Sequence, residues 1–333
     1  MQKNVLITGA SGFIGSFLVE EAIRKGYRVF AGIRASSSRQ YLTDPSIHFL
    51  ELDLMDSAAM QQALQAAADK YGAFDYVIHA AGITKSLHLS AFYEVNVAST
   101  QRLVNTLQQQ QLLKEKFVFI SSLASYGPGV GSEPITALSV PNPITAYGRS
   151  KREAENLLYQ TNDFPFLVIN PTAVYGPRDK DFLFVLQTVQ QKLELYVGSR
   201  EQLLSFVHVA DLVKAVFLSM ESERTRQNVL VSDLTNYTTA EMNRIIKQQL
   251  GVSAIAVTVP TWIAVLAAVL SEAVGNLRGK VPLLNRERLK EFRASNWAAS
   301  CAELENLGYR PDHDLESGLS DTIAWYRGKG LLK

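Results

Sequence analysis

The chain has 333 residues, of which 47% are hydrophobic and 20% charged, and its net charge is +1 at neutral pH. That length and apolar content can bury one large core or two modest ones. The interspersed charges, with no basic block, argue against a nucleic-acid-binding protein. The single cysteine, Cys301, excludes an internal disulfide and fits a reducing compartment; it reads as a small residue on a C-terminal helix rather than a reactive thiol. The first strand-like run starts at residue 3, which leaves no room for a secretory leader. The longest apolar run, Trp262 to Leu270, is shorter than the roughly 20 residues a membrane span takes. A cytoplasmic protein without a transmembrane segment is the expectation.

In chain order, Lys3 to Thr8 reads as a buried strand and residues 13–25 as the helix after it. Between them run Gly9, Ala10, Ser11, Gly12, Phe13, Ile14 and Gly15. Gly9 permits a tight turn, Gly12 lets the backbone approach a pyrophosphate, and Gly15 allows helix to pack on strand. The helix N-terminus offers N–H groups and a positive dipole end to phosphates. Further strand-like runs fall at 28–33, 47–52, 74–80, 116–121 and 165–170, with helices near 57–69, 91–112 and 145–161. This alternation predicts a doubly wound parallel sheet with helices on both faces. Residues 206–221 and 228–232 look like one more helix and strand returning to the sheet. The expected organisation is therefore a dinucleotide-binding domain over 1–175, rejoined by 206–232, and a smaller helix-rich C-terminal lobe over 176–205 and 233–333.

Tyr147 and Lys151 are four residues apart on the 145–161 helix, which puts both on one helix face. A free tyrosine has a pKa of about 10 and is a poor base at neutral pH. A nearby ammonium favours the phenolate, so the pair can move a proton to or from an alcohol. No His/Cys cluster has metal-ligand spacing, so no metal is expected.

TGASGFIG at 8–15, Ser121-Ser122 ahead of Tyr126-Gly127, and YGRSK at 147–151 together resemble the short-chain dehydrogenase/reductase superfamily. NPTAVYGP at 170–177 and FVHVADLVKAV at 206–216 look like its extended branch, the NAD-dependent epimerase/dehydratase family. The resemblance implies a Rossmann domain and makes Ser122 the catalytic serine, with Ser121 its cofactor-side neighbour. Ser122 and Tyr147 would both bond the substrate oxygen, and Lys151 would lower the tyrosine pKa and bond the ribose. Asp53, followed by Leu54, sits where family members bond adenine; a helix-capping role is the alternative. Ala80, Ala81 and Gly82 resemble the family's small-residue loop under the cofactor, and His79 before them reads as a packed, hydrogen-bonded side chain. Asn96 resembles a supporting asparagine at the start of the fourth helix, with a plain helix cap as its alternative. Pro171 through Val174 should close over the nicotinamide.

An NAD-selective site places an acid after the second strand to bond the ribose 2′-hydroxyl. Here no acid appears before Asp44, and Arg34, Arg39 and three serines suit a 2′-phosphate. NADP(H) is the expected cofactor, with NAD(H) as the alternative.

Departures from the pattern narrow the substrate. Leu123-Ala124 stands where dehydratases of the branch carry Asp-Glu. Ser205 stands near where nucleotide-sugar epimerases carry a diphosphate-binding arginine, and Asn170 replaces another arginine. Arg178, Lys180 and Arg200 are the cations that could rebuild a phosphate site. Trp262 onward forms a helix apolar around most of its circumference, expected as lobe core. The stretch from Val259 through Pro282 and Leu283 to Leu307-Gly308-Tyr309-Arg310-Pro311 resembles the 3β-hydroxysteroid dehydrogenase and dihydroflavonol-reductase-like subgroup, whose members act on apolar polycyclic alcohols and ketones. The expected function is an NADP(H)-dependent oxidoreductase interconverting a secondary alcohol and a carbonyl on a largely apolar small molecule. The alternatives are a nucleotide-sugar epimerase and a non-catalytic dinucleotide-sensing protein. A homodimer is left open.

Overall fold

The computed structural model describes residues 2–279, 281–282 and 284–333, so the expectation placed on Leu283 lies outside the described residues. The chain forms two compact units. The first holds Met1–Ser122, Ser150–Asn170 and Val213–Val229; the second holds Leu123–Arg149, Pro171–Leu212 and Leu230–Lys333.

In chain order the elements up to residue 171 are β1 (Asn4–Thr8), α1 (Phe13–Arg24), β2 (Arg28–Ile33), β3 (His48–Glu51), α2 (Ser57–Tyr71), β4 (Phe74–His79) and α3 (Leu89–Tyr93). A π-helical turn at Glu94–Ala98 leads into α4 (Ser99–Gln109), followed by β5 (Leu113–Ile120), α5 (Ala146–Gln160) and β6 (Phe166–Pro171). The later elements are β7 (Ala173–Tyr175), α6 (Lys180–Gln190), β8 (Leu193–Val197), β9 (Leu203–His208), α7 (Val209–Glu221) and β10 (Gln227–Val231). The C-terminal part carries β11 (Asn236–Thr238), α8 (Thr239–Leu250), β12 (Ile255–Val259), α9 (Thr261–Arg278), α10 (Arg286–Arg293), β13 (Asn296–Trp297), α11 (Ala302–Asn306) and α12 (Leu315–Gly328).

The main sheet has the order β10-β6-β5-β4-β1-β2-β3. From β3 to β6 every pairing is parallel. This is the doubly wound Rossmann arrangement. The order reverses between β1 and β4, where Thr8 lies opposite His79, and such switch points are where open α/β sheets take their ligands. Strands β1 and β6 are buried along their whole length, as strands covered on both faces must be. Phe30, Phe74, Phe117, Phe119 and Phe166 dominate the first unit's core. Each fully buried aromatic or aliphatic side chain contributes about 1.5–3 kcal/mol of transfer free energy.

The second unit centres on a small sheet in which β9 pairs with β11, β13 and β7, and on a parallel ribbon of β8 with β12. Tyr175, Leu186, Phe206, Ile246, Leu319 and Tyr326 form its core. One expectation needs correction here. Residues 206–208 are the end of β9, not helix, because Phe206, Val207 and His208 pair in register with β7. The region after 233 is helix-rich as expected, and β11, β12 and β13 within it complete sheets begun by β8 and β9.

The apolar helix beginning at Trp262 also departs from expectation. α9 buries only Ala264, Ala268 and Gly275, and its large apolar side chains face outward. It is not lobe core.

Candidate active site

The chain leaves β1 at Thr8 and turns at Gly9, whose φ of +67° lies in the left-handed region that favours glycine. A Cβ at Gly9 would lie 2.7 Å from the Ala81 nitrogen. The Gly12 N–H donates to the Gly9 carbonyl at 2.9 Å and closes the turn. A Cβ at Gly15 would stand 2.1 Å from that same carbonyl oxygen, so only glycine lets α1 approach. Gly12 is the N-cap of α1, no side chain caps it, and the first turn carries no acid. Ala10 is buried, Gly12 is exposed, and Ser11, Phe13 and Ile14 are partly buried. A helix N-terminus with its positive dipole end uncapped, above a turn without side chains, fits a dinucleotide pyrophosphate.

Beyond β2, Arg34 and Arg39 are both exposed. The Ser37 hydroxyl accepts from the Arg34 N–H at 3.1 Å, and the Arg39 guanidinium lies 4.3 Å from the centroid of the Phe49 ring. Asp53 is exposed two residues past β3, and its carboxylate accepts from the Met55 N–H at 2.9 Å. The helix cap is Asp56 instead, which accepts from Ala58 and Ala59. Leu54 beside Asp53 is partly buried.

At the end of β4, His79 is fully buried between two hydroxyls, 2.6 Å from Thr8 and 2.9 Å from Thr100. Burial, with Lys151 adding to it, pushes its pKa down to about 3, so it is a neutral packed ring. Ala80, Ala81 and Gly82 follow. A Cβ on Gly82 would meet the Asn96 Oδ1 at 3.0 Å and the Lys151 ammonium at 3.3 Å. Asn96 does not cap a helix. It sits in the π-helical turn, accepts from the Ile83 N–H at 2.9 Å, and donates to the Ile83 carbonyl and the Ser150 hydroxyl, both at 3.0 Å. It thereby ties the 82–83 loop to α5.

Lys151 is buried, and its ammonium donates to the Ile120 carbonyl at 2.8 Å while lying 4.6 Å from the Phe119 ring centroid. Burial pulls its pKa down to about 8, and the Glu155 carboxylate one turn along partly opposes that. Ser121 is buried and its hydroxyl donates to Glu155. Ser122 is partly buried, and its carbonyl accepts from the Asn170 amide at 3.3 Å.

Motif reading passed over Glu155 and Asn228, and marked Asn170 only as the replacement of an arginine. Glu155 is fully buried and accepts from Asn170 at 2.7 Å, from Asn228 at 3.2 Å and from Arg152 at 3.1 Å. The network ties β6 and β10 to α5 beneath the Ser121-Ser122 pair. Glu155 follows Lys151 by four residues, and a carboxylate continuing the Tyr147–Lys151 face was the available signal.

Tyr147 lies in the first turn of α5, one turn before Lys151, and is partly buried. Thr145 accepts from the Gly148 N–H at 3.0 Å, and Glu287 accepts from the Ala146 N–H at 2.5 Å, so this helix start is capped twice. A Cβ at Gly148 would come within 2.3 Å of the Ala124 carbonyl, which explains the glycine between tyrosine and lysine. Leu123 is buried. Pro171 ends β6, Thr172 is buried and its N–H donates to Val231 at 3.0 Å, Ala173 is exposed and Val174 partly buried.

In the second unit, Ser205 is buried in β9. Its hydroxyl donates to Asn236 at 2.5 Å and accepts from the Ala299 N–H at 2.9 Å. Arg200 is exposed and lies over the Tyr196 ring at 4.6 Å; Lys180 is exposed and Arg178 partly buried. The same unit brings together His208, Asp211 and His313, with ligand-type atoms within 4.8 Å of one another. Asp211 already accepts from the Asp312 N–H, the His313 N–H and the His313 ring, which is the bonding of a turn clamp. Cys301 is the buried N-cap of α11, 3.2 Å from the Ser232 hydroxyl, and burial pushes its thiol up to about 11, so it is an inert packing group.

A sheet whose strand order reverses beside β1, a glycine turn against an uncapped helix and a Tyr/Lys helix define a dinucleotide-dependent class of enzyme. The chain belongs to the NAD dependent epimerase/dehydratase family, which it matches over residues 5–231. It is 24% identical over 330 residues to a ceramide reductase of Caulobacter vibrioides, covering 98% of this chain and 96% of that one. It is 27% identical to the decarboxylating sterol-4-alpha-carboxylate 3-dehydrogenase of Dictyostelium discoideum, covering 86% and 90%. Its fold matches the crystal structure of UDP-glucose 4-epimerase with UDP-glucose from Thermotoga maritima at a TM-score of 0.80, with 22% identity, covering 98% and 99%. The protein is thus an NAD(P)-dependent enzyme of the extended short-chain dehydrogenase/reductase type, acting on CH–OH groups.

Proposed function

We propose that this protein is an NADP(H)-dependent oxidoreductase that interconverts a secondary alcohol and a carbonyl on a largely apolar substrate. The observation that carries the reading is the loss of charge where sugar-diphosphate chemistry needs it. Leu123 is buried where dehydration would need a carboxyl, and the Ser205 hydroxyl is committed to Asn236 and Ala299. Arg200 lies over Tyr196. A diphosphate entering beside Leu123 and Ser205 would lose water without the cation that the epimerase pattern supplies there.

In this reading Ser122 and Tyr147 hold the substrate oxygen, and Tyr147 gives or takes its proton. Lys151, fixed on the Ile120 carbonyl, supplies the positive charge that favours the phenolate. The bound nicotinamide would supply or accept the hydride. Gly9, Ser11, Gly12, Phe13, Ile14 and Gly15 would hold the pyrophosphate, and Arg34 and Arg39 the 2′-phosphate. Asp53 and Leu54 would border the adenine. Ala80 to Gly82, braced by Asn96, together with Ser121, Pro171 and Val174 would border the rest of the cofactor.

The likeness to a ceramide reductase and a sterol carboxylate dehydrogenase supports the apolar substrate. The likeness in fold to a UDP-glucose 4-epimerase favours a second reading, an epimerase with no net redox change. The deciding experiment follows NADPH absorbance with steroid, flavonoid, long-chain ketone and UDP-sugar substrates. Turnover with an apolar carbonyl and none with UDP-sugars is expected. Interconversion of a UDP-sugar without NADPH consumption would replace the proposal with the epimerase.

A further inference from the structure

Helix α9 is amphipathic in the inverted sense. A helix packed on a globular body turns its large apolar side chains inward. α9 instead buries Ala264, Ala268 and Gly275, and presents Trp262, Leu266, Val269, Leu270, Val274 and Leu277 to the outside. Trp262 is 69% exposed and Leu277 89% exposed.

The surface continues onto the β8–β12 ribbon. Leu193 pairs with Ile255, Leu195 with Val257 and Val197 with Val259, so these six side chains share one face. Val197 and Val259 pack against Ala264, Ala268 and Leu289 at the base of α9. The other two pairs are exposed. The result is one apolar surface running from ribbon to helix, far from the scattered single exposures that need no explanation.

Charge identifies what covers it. Between residues 251 and 294 no charge occurs before Glu272, and from there on six basic and three acidic residues occur; of these Arg286, Arg288 and Lys290 are ion-paired with Glu272, Asp181 and Glu287. Arg278 ends α9, and Arg278 and Arg293 are exposed. Two copies of this chain meeting through α9 would bring like-charged rims together, whereas an anionic lipid surface would compensate them. Among the described residues no helix is long and apolar enough to cross a membrane. α9, about 27 Å long at 1.5 Å per residue, would lie along the surface instead.

We propose that α9 and the exposed face of the β8–β12 ribbon form a membrane-docking surface that inserts its apolar side chains into the headgroup boundary of an anionic bilayer. The surface does not depend on the reaction proposed above.

The test is co-sedimentation of the full chain with phosphatidylcholine vesicles, with and without phosphatidylglycerol. The chain should bind the phosphatidylglycerol vesicles more strongly, less so at high salt, with a blue shift in tryptophan emission that Trp262→Phe removes. L266E/L270E should lower partitioning about tenfold or more, and R278E/R293E should weaken it further on anionic vesicles. Both pairs change exposed positions, and Leu138→Gln, on an exposed side chain elsewhere, should change nothing. Absence of vesicle binding, or wild-type binding by L266E/L270E, would overturn the proposal. So would a dimer in sedimentation velocity that L266E/L270E dissociates while vesicles have no effect. Because no arm reads turnover, an inactive protein that still binds vesicles would count against the reaction alone.

Discussion

The Lys151 ammonium donates to the main-chain carbonyl of Ile120 at 2.8 Å, at the C-terminal end of β5 and directly before Ser121-Ser122. A flexible side chain is thereby fixed by the sheet itself, and burial holds its pKa near 8. The sheet places the cation, and α5 carries the tyrosine one turn earlier.

Tyr147→Phe removes the proton and leaves the lysine in place. Turnover should fall about 10²–10⁴-fold with dinucleotide affinity nearly unchanged. Lys151→Ala should lose both. Steady-state rates with fluorescence titration of the cofactor check this, and a Tyr147→Phe enzyme with most of its activity would end the proton-relay assignment.

Arg34→Ala should weaken NADPH binding roughly ten-fold or more, since a charge-assisted hydrogen bond contributes about 1.5–3 kcal/mol. NADH binding should hardly change, because it has no 2′-phosphate. Equal wild-type affinities for the two cofactors would refute the arginine's role.

Gly15→Ala places a methyl group 2.1 Å from the Gly9 carbonyl oxygen and 2.9 Å from the Ala10 Cα, against rigid backbone. A loss of about 1–3 kcal/mol in chemical denaturation is expected. Gly328→Ala, where a Cβ meets nothing within 4 Å on α12, should instead add about 0.4–1 kcal/mol. Equal effects from the two substitutions would show that the α1 approach is not tight.

Acid should destabilise the fold from near pH 6.5 downward. His79 and His208 are held by burial at about 3 and about 4, below the ordinary 6.5, so the unfolded chain takes up protons that the folded chain refuses. Their contribution is complete above pH 6.5 and is lost as pH falls, at up to about 1.4 kcal/mol per pH unit for each. Asp233, raised by burial to about 6, acts in the opposite direction between its ordinary 3.8 and 6, as does Glu291, also raised by burial, while His48, lowered by burial, acts with the two histidines. Urea denaturation at pH 7, 6 and 5 should show falling stability, with a shallower slope in His79→Asn. A flat profile in the wild type would contradict the buried neutral histidines.

Strands β1 to β6 and helices α1, α2 and α5 were legible because most of these parallel strands, though not the edge strand β3, are covered on both faces and read as apolar runs, and glycine turns punctuate them. The glycine turn was legible for the same local reason. Its signal is spacing within eight residues. Other features were not legible. Asn96 looked like a helix start, yet its side chain holds Ile83, thirteen residues back. Glu155 drew no reading from the sequence, yet it is fully buried among Ser121, Asn170 and Asn228. Helix α9 looked like core because its composition is apolar, but composition does not say which face a helix buries.

The amino-acid sequence by itself determined the order of strands and helices through β6, the glycine turn and the Tyr147–Lys151 spacing, because each depends on periodicity or sterics over a few neighbouring residues. Only the tertiary structure decided that Lys151 is held by Ile120, that Glu155 anchors a buried polar network, and that α9 turns Ala264 and Ala268 inward. Those outcomes depend on which distant strand or helix supplies the partner. A side chain buries where a neighbour fits it, and on α9 the ribbon and Leu289 leave room only for small residues against the body, so the large apolar ones face out.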